Sequence, residues 1–380
     1  MAKIMQIFLL ISCCLILSCK KDKKIIVGAD NTRSYLPLIK GKKIAIVGNQ
    51  SSMISSTHLV DSLINLDIDI TKVFSPEHGF RGKGDAGEKI ENSIDSRTGI
   101  PIISLYGNNK KPSKEQLNGI EIILFDIQDV GVRFYTYIST LHYIMQAAAE
   151  NNIKVIILDR PNPNGHYIDG PILDTNFRSF VGMHPIPVVH GMTIGEYAKM
   201  INGENWISRK CDITIIKIKN YTRDLIYNLR IKPSPNLPNT RSINLYPSLC
   251  LFEGTNISVG RGTDYPFQQF GAPYLESHYS FTPRSNEGSK YPKYENQKCY
   301  GTDLRHQNIY LTKINLDWII ETYSKYNKKE FFNKFFDKLA GSDKLRLQII
   351  EGKSSKEIKE SWKAELDKFK IVRKKYLIYK

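Results

Sequence analysis

The chain has 380 residues, of which 41% are hydrophobic and 24% charged, so it can bury a substantial core, and its length favours two domains. The absence of heptads, low-complexity tracts and any repeat period excludes a coiled coil, a disordered chain and a solenoid. The formal net charge of +16 fits either a Lys-rich solvated surface or an anionic partner, but no nucleic-acid-binding motif or basic–aromatic stripe accompanies it, so nucleic acid is not expected as a partner.

At the N-terminus, Lys3 precedes an apolar segment from Ile4 to Leu17. That is too short to span a bilayer and has the length of a signal-peptide core. It ends Leu15-Ile16-Leu17-Ser18-Cys19, which resembles a bacterial lipobox with Cys19 as the lipidated residue. The expectation is an exported lipoprotein of the cell envelope, held to a membrane through Cys19. Cys13 and Cys14 would leave with the signal, and Cys211, Cys250 and Cys299 would remain. An odd number without Cys-x-x-Cys spacing suggests no metal or redox site, and Cys250 with Cys299 is one possible disulfide.

In chain order, residues 43–47 form a short β-branched run closed by Gly48-Asn49-Gln50, a first strand. A helix is expected from His58 to Leu66 and strands from Ile70 to Phe74 and Pro101 to Leu105. Ser113 with Gln116 has capping-box spacing. Glu121 to Phe125 is apolar enough for a central parallel strand. Ile138, Leu141, Met145 and Ala148 fall at helical spacing between Thr136 and Glu150, which predicts an amphipathic helix. A strand at Lys154 to Leu158, a helix opening at Thr193-Ile194-Gly195-Glu196 and a strand at Asp212 to Ile218 follow. This alternation predicts an α/β fold: a Rossmann-like, doubly wound, mainly parallel sheet with a second, smaller α+β domain. Residues 1–19 are read as the signal, 20–40 as tether and entry segment, 41–230 as the Rossmann-like domain and 231–380 as the smaller domain. The Pro-rich stretch 233–238 marks the crossing, and Ser354 with Glu357 caps a helix in a mostly helical, Lys-rich C-terminal segment.

Several strands end in charged residues: Glu77-His78, Asp126 with Asp129, and Asp159-Arg160. Carboxylates gathered beyond strand ends could do acid–base chemistry, hydrolyse a glycoside or hold a metal. Glu77 lies between Phe74 and Phe80 in sequence, which suits a proton donor, but it could also cap a helix or pair with Arg81. Asp126 and Asp129 could cap the helix near Thr136 or position Arg133. Asp159 and Arg160 could be a structural pair. His190 reads most simply as a hydrogen-bonded loop histidine and Glu196 as half of a capping box with Thr193. Gly82-Lys83-Gly84-Asp85-Ala86-Gly87 matches a dinucleotide-binding pattern by letter, but no periodic helix follows it immediately.

Six ordered blocks make the chain resemble a known family. They are Pro76 to Gly82, Phe125 to Tyr137, Asp159 to Pro163, His190 to Glu196, Pro233 to Asn236, and Glu253 to Asn256 with Gly260 to Thr263. The sequence is similar to the exo-β-N-acetylmuramidases, glycoside hydrolase family 171, over residues 40 to 375. The resemblance implies a cleft between the two domains, and release of terminal N-acetylmuramic acid from the non-reducing end of peptidoglycan fragments. Glu77, in the Pro-Glu-His-Gly motif, is the catalytic glutamate it implies. His78, Asp126 and Asp129 complete the expected catalytic set. Substrate contacts are expected from Asn49, Arg81, Arg133, Tyr135, Tyr137, Asp159, Arg160, Asn162, His190, Glu196, Asn236, Glu253, Asn256 and Arg261. Arg133, Arg160 or Arg261 would take the lactyl carboxylate as a bidentate pair. No metal and no cofactor are expected. The competing expectations are a muropeptide-binding lipoprotein without turnover, and a metal-dependent hydrolase using Asp126 and Asp159.

Overall fold

The central sheet forms where β-branched runs stop at small or polar residues. Its strands are β1 (Ile44–Gly48), β2 (Ile70–Ser75), β3 (Ser93–Ile94), β4 (Pro101–Ser104), β5 (Ile122–Asp126), β6 (Lys154–Leu158) and β7 (Ile213–Ile216). The computed structural model describes residues 24–81, 92–307, 310–326 and 330–380. The signal segment with Cys19 and the Gly82-to-Gly87 pattern lie outside the described residues. Strand order is β3-β4-β2-β1-β5-β6-β7, parallel throughout except where β3 meets β4. Direction along the sheet reverses between β1 and β5, the switch point beyond which open α/β sheets bind ligands. The doubly wound architecture is therefore the one expected.

Alternate strand residues feed two cores. Ala45, Val47, Phe74, Ile123, Phe125 and Ile157 belong to the core that continues into the second domain, and Ile44, Ile46, Val73, Leu124 and Ile156 to a smaller core on the other face. Phe80 joins that smaller core, so Phe74 and Phe80 do not enclose Glu77 between them. The second domain holds helix Thr240–Leu249 and an antiparallel sheet of β8 (Gln269–Ala272), β9 (Tyr279–Phe281) and β10 (Cys299–Asp303), with β10 in the middle. Helices Asp317–Lys325, Phe335–Ala340, Lys344–Ile350 and Ser355–Lys374 complete it, the last opened by the expected Ser354/Glu357 capping box.

Three features differ from expectation. Residues 24–40 are folded rather than a tether: helix Thr32–Ile39 buries Tyr35 and Ile39, and the Gly28 amide donates to Asp159 O at 2.8 Å. Pro37 inside that helix hides its helical character from a propensity reading. The helix Tyr137–Glu150 is amphipathic by spacing, yet eleven of its fourteen residues are buried. The chain near Phe180 and His184 covers its outer face, with Ser139 Oγ donating to Phe180 O and His142 bonded to His184. Cys250 and Cys299 do not pair, since Cys211, Cys250 and Cys299 are all free and buried.

Candidate active site

Strand β2 runs into Pro76, and the chain then turns through His78 and Gly79, both with left-handed φ (72° and 77°). A non-glycine residue in this region is strained by about 1–3 kcal/mol, and such strain clusters at functional sites. The turn lifts Glu77 into a cavity of about 730 Å³ at the junction of the two domains. Thr136 Oγ1 donates to Glu77 Oε2 at 2.8 Å, and the Tyr106 hydroxyl faces the same carboxylate. Burial, and then the charge of Glu77, push the Tyr106 pKa up, so Tyr106 stays a neutral donor. Thr136 sits at the start of helix Tyr137–Glu150, beyond β5, and Tyr106 just beyond β4, so the connections that leave β2, β4 and β5 meet at Glu77.

The opposite wall comes from the second domain. Asn236, Tyr246, Cys250, Glu253, Arg261, Tyr291 and Phe335 line it. Glu253 and Arg261 form a bidentate pair (Nε–Oε1 2.5 Å, Nη2–Oε2 3.0 Å), and the guanidinium lies over the Phe267 ring at 5.0 Å. Cys250 Sγ is 3.6 Å from Glu253 Oε2. Lys110 reaches the cavity from the first domain with its Nζ 4.9 Å above the Phe180 ring, and has no acidic partner among the described residues.

Of the residues expected to form the site, Glu77, His78, Tyr135, Asn236, Glu253 and Arg261 line this cavity. The others have different work. Asp126 is fully buried and held by Arg160 (Nε–Oδ1 2.6 Å, Nη2–Oδ2 2.8 Å), so neither side chain of that pair faces the cleft. Burial alone would lower the Arg160 pKa, but the Asp126 carboxylate more than offsets it and holds Arg160 above the ordinary arginine value. Asp129 is buried, with Oδ2 accepting from the Gly131 amide at 2.6 Å, and burial raises its pKa to about 7.

Asp159 accepts from the Gly195 amide and from the hydroxyls of Thr193 and Tyr379, which makes it a cap for helix Ile194–Gly203. Glu196 completes the capping box with Thr193 and pairs with Arg223. Arg133 is fully buried; its Nη1 donates to Pro171 O and Ile186 O, and its Nη2 to Leu339 O and Ala340 O.

The remaining polar residues of the expected set are also committed elsewhere. Asn49 Nδ2 donates to the Tyr137 hydroxyl, which in turn donates to Pro233 O. Asn162 joins Met192 O to the Asn164 amide. His190 is buried, with a pKa lowered to about 3 by burial and then by Arg373 and Arg133. Arg81 pairs with Asp95 at 2.8 Å. Asn256 is pinned between the Tyr274 and Tyr326 hydroxyls.

Cleft residues that the sequence reading missed are Tyr106, Lys110, Thr136, Phe180, Tyr246 and Tyr291. Tyr106 carried a usable signal, because it follows a strand on the same edge as Glu77. Phe180 and Tyr291 sit on long irregular segments, where periodicity gives no orientation. Among the described residues, no group of three or more His, Cys, Asp or Glu side chains converges as a metal site would require. Asp126 and Asp159 are committed to Arg160 and to N–H and O–H donors respectively.

The two halves match two family models: "Exo-beta-N-acetylmuramidase NamZ, N-terminal" over residues 44–241 and its C-terminal counterpart over residues 244–379. The chain is 41% identical over 390 residues to the peptidoglycan beta-N-acetylmuramidase NamZ of Bacillus subtilis (strain 168), covering 94% of this chain and 92% of that protein. A crystal structure of a DUF1343 family protein from Bacteroides fragilis NCTC 9343 matches with a TM-score of 0.87 at 49% identity, and a second from the same organism with 0.82 at 28%. Each covers 94% of this chain and 99% of its own. The chain belongs to the exo-β-N-acetylmuramidase NamZ family.

Proposed function

We propose that the protein is an exo-acting glycoside hydrolase that releases N-acetylmuramic acid from the non-reducing end of peptidoglycan fragments. The observation that carries this reading is Glu77, presented on a strained turn into the interdomain cleft and oriented by Thr136 and Tyr106. Thr136 and Tyr106 hold the Glu77 carboxyl in place, and Glu77 takes the role of the acid that protonates the glycosidic oxygen. Glu253 is the other carboxylate lining the cleft among the described residues, and it takes the second role, as base or as stabiliser of the oxocarbenium-like transition state. Asp126 and Asp129 give up that role because both are sealed from the cleft.

The lactyl carboxylate of the muramyl sugar is assigned to Lys110. Arg133 and Arg160 are sealed, and Arg261 is engaged by Glu253, so Lys110 is the lining cation with a charge to spare. The test is incubation with N-acetylmuramyl-β-1,4-N-acetylglucosamine, following free sugars by mass spectrometry. Glu77→Gln is expected to lower the rate at least about a hundredfold. Lys110→Met should lower kcat/KM about ten- to a hundredfold for the muramyl substrate, through the lost charge-assisted contact, and spare the analogue without the lactyl group. Saturable binding without release by the wild-type protein would instead point to a binding lipoprotein.

The reading extends to an exported lipoprotein anchored through Cys19, supported by the lipobox-like Leu15-to-Cys19 segment. Cys19→Ser should move the protein from the membrane fraction to the soluble fraction, and retention in the membrane fraction would sink this part.

A further inference from the structure

On the far side of the Asp126–Arg160 pair lies a separate cavity of about 300 Å³. It sits beyond the ends of β1, β5 and β6, on the sheet face that carries helix Thr32–Ile39, and Val27, Asp30, Met53, Gln128, Arg160 and Tyr227 line it. It shares no lining residue with the catalytic cleft. The cavity thus occupies the switch-point crevice of the sheet, while Glu77 works to one side of it.

Two buried side chains present unspent hydrogen-bonding capacity here. Arg160 is 8% exposed; its Nε and Nη2 donate to Asp126 and Met53 O, leaving the two Nη1 protons without an acceptor among the described residues. Gln128 is 4% exposed, and its Nε2 donates to both Asp129 O and Pro161 O. Those two carbonyls fix the amide orientation, so Oε1 is an acceptor with no donor among the described residues. Asp30 adds a carboxylate whose Oδ1 accepts the Ser55 amide at 2.7 Å and whose Oδ2 has no donor among the described residues. Asp126 locks the guanidinium, so the free donors are preorganised. Arg230 brings a further exposed positive charge to the rim, and Leu229 and Ile231 an apolar side.

Donors of positive character beside acceptors of negative character suit a ligand that carries both charges. A bare anion would meet Asp30 and Gln128 Oε1, and a bare cation would meet Arg160 and Arg230. We propose that this cavity is a second ligand site, distinct from the cleft, that binds the zwitterionic head group of a small α-amino acid: carboxylate on Arg160 Nη1, ammonium on Asp30 and Gln128 Oε1, side chain against Met53, Leu229 and Ile231. The proposal stands independently of the glycosidase reading.

The test is calorimetric titration of the purified protein with L-alanine and D-alanine, with propionate and ethylamine as half-ligands, and with alanyl-alanine to separate a free amino acid from a peptide end. Saturable binding of an alanine enantiomer at millimolar concentration is expected, with the half-ligands and the dipeptide at least tenfold weaker. Asp30→Asn lies outside the Arg160 pair and should weaken alanine at least tenfold while leaving hydrolysis of the muramyl disaccharide unchanged. No heat with either alanine would overturn the proposal. So would propionate binding as tightly as alanine, which would make this a simple anion site, or alanine binding unaffected by Asp30→Asn.

Discussion

Asp129 illustrates how burial sets chemistry one residue at a time. Its Oδ1 is buried without a hydrogen-bond partner among the described residues, while its other oxygen accepts the Gly131 amide. A proton on the orphan oxygen removes the desolvated charge, which is why burial raises this carboxyl to about 7 against the opposing Gly131 and Val130 amides. The folded state then binds a proton more readily than the unfolded chain, whose carboxyl titrates near 3.9. Stability from this group is full below about pH 4, falls as pH rises towards 7 and is flat above that, by at most about 4 kcal/mol. Asn at this position does not titrate. Between pH 5 and pH 8 the Tm of Asp129→Asn should therefore drop less than that of the wild type; equal slopes would show that this carboxyl is already charged at pH 5.

Among elements, the strand ends divide into those that present side chains and those that fasten helices. Glu77 at the end of β2 belongs to the first kind, and Asp159 at the end of β6 to the second. Asp159 Oδ1 accepts the amides of Arg160 and Gly195, and Oδ2 accepts the hydroxyls of Thr193 and Tyr379. Four donors on one buried carboxylate tie strand, following helix and chain end together, although burial still raises its pKa to about 6. Asp159→Ala leaves all four without an acceptor and should cost about 3 kcal/mol or more in urea unfolding. Asp159→Asn keeps an acceptor oxygen and should cost distinctly less.

For the whole molecule, Arg133 joins the domains. Its guanidinium caps the last carbonyls of helix Phe335–Ala340, which would otherwise be orphaned, and a positive group suits that end of a helix. Gly341 follows with φ 83°, and a Cβ there would lie 2.6 Å from Arg133 Nη2. Phe335 and Leu339 of the same helix line the cleft, so Arg133 positions the far wall of the site without touching substrate. Burial lowers its pKa to about 9, still leaving it charged at neutral pH. Arg133→Met should lose about 3 kcal/mol or more of stability and, in the folded fraction, raise KM more than it lowers kcat. An unchanged KM would break the link between this contact and the cleft.

Local pattern determined much of this protein. β-branched runs closed by glycine or polar residues placed the strands, and Ser113, Thr193 and Ser354 each begin a helix with the capping box their spacing predicted. The Pro-Glu-His-Gly block was legible as a strand end that carries chemistry. Which strand-end side chains face the cleft was decided by tertiary structure. Asp126 finds Arg160 from 34 residues away, and Arg133 finds Ala340 from 207. A charge reads the same in sequence whether it meets a ligand or a distant partner. Burying one is tolerable only when such a partner arrives; the fold sealed Asp126, Asp159 and Arg133 away with theirs, and it placed Glu77, Lys110 and Glu253 on the cleft wall.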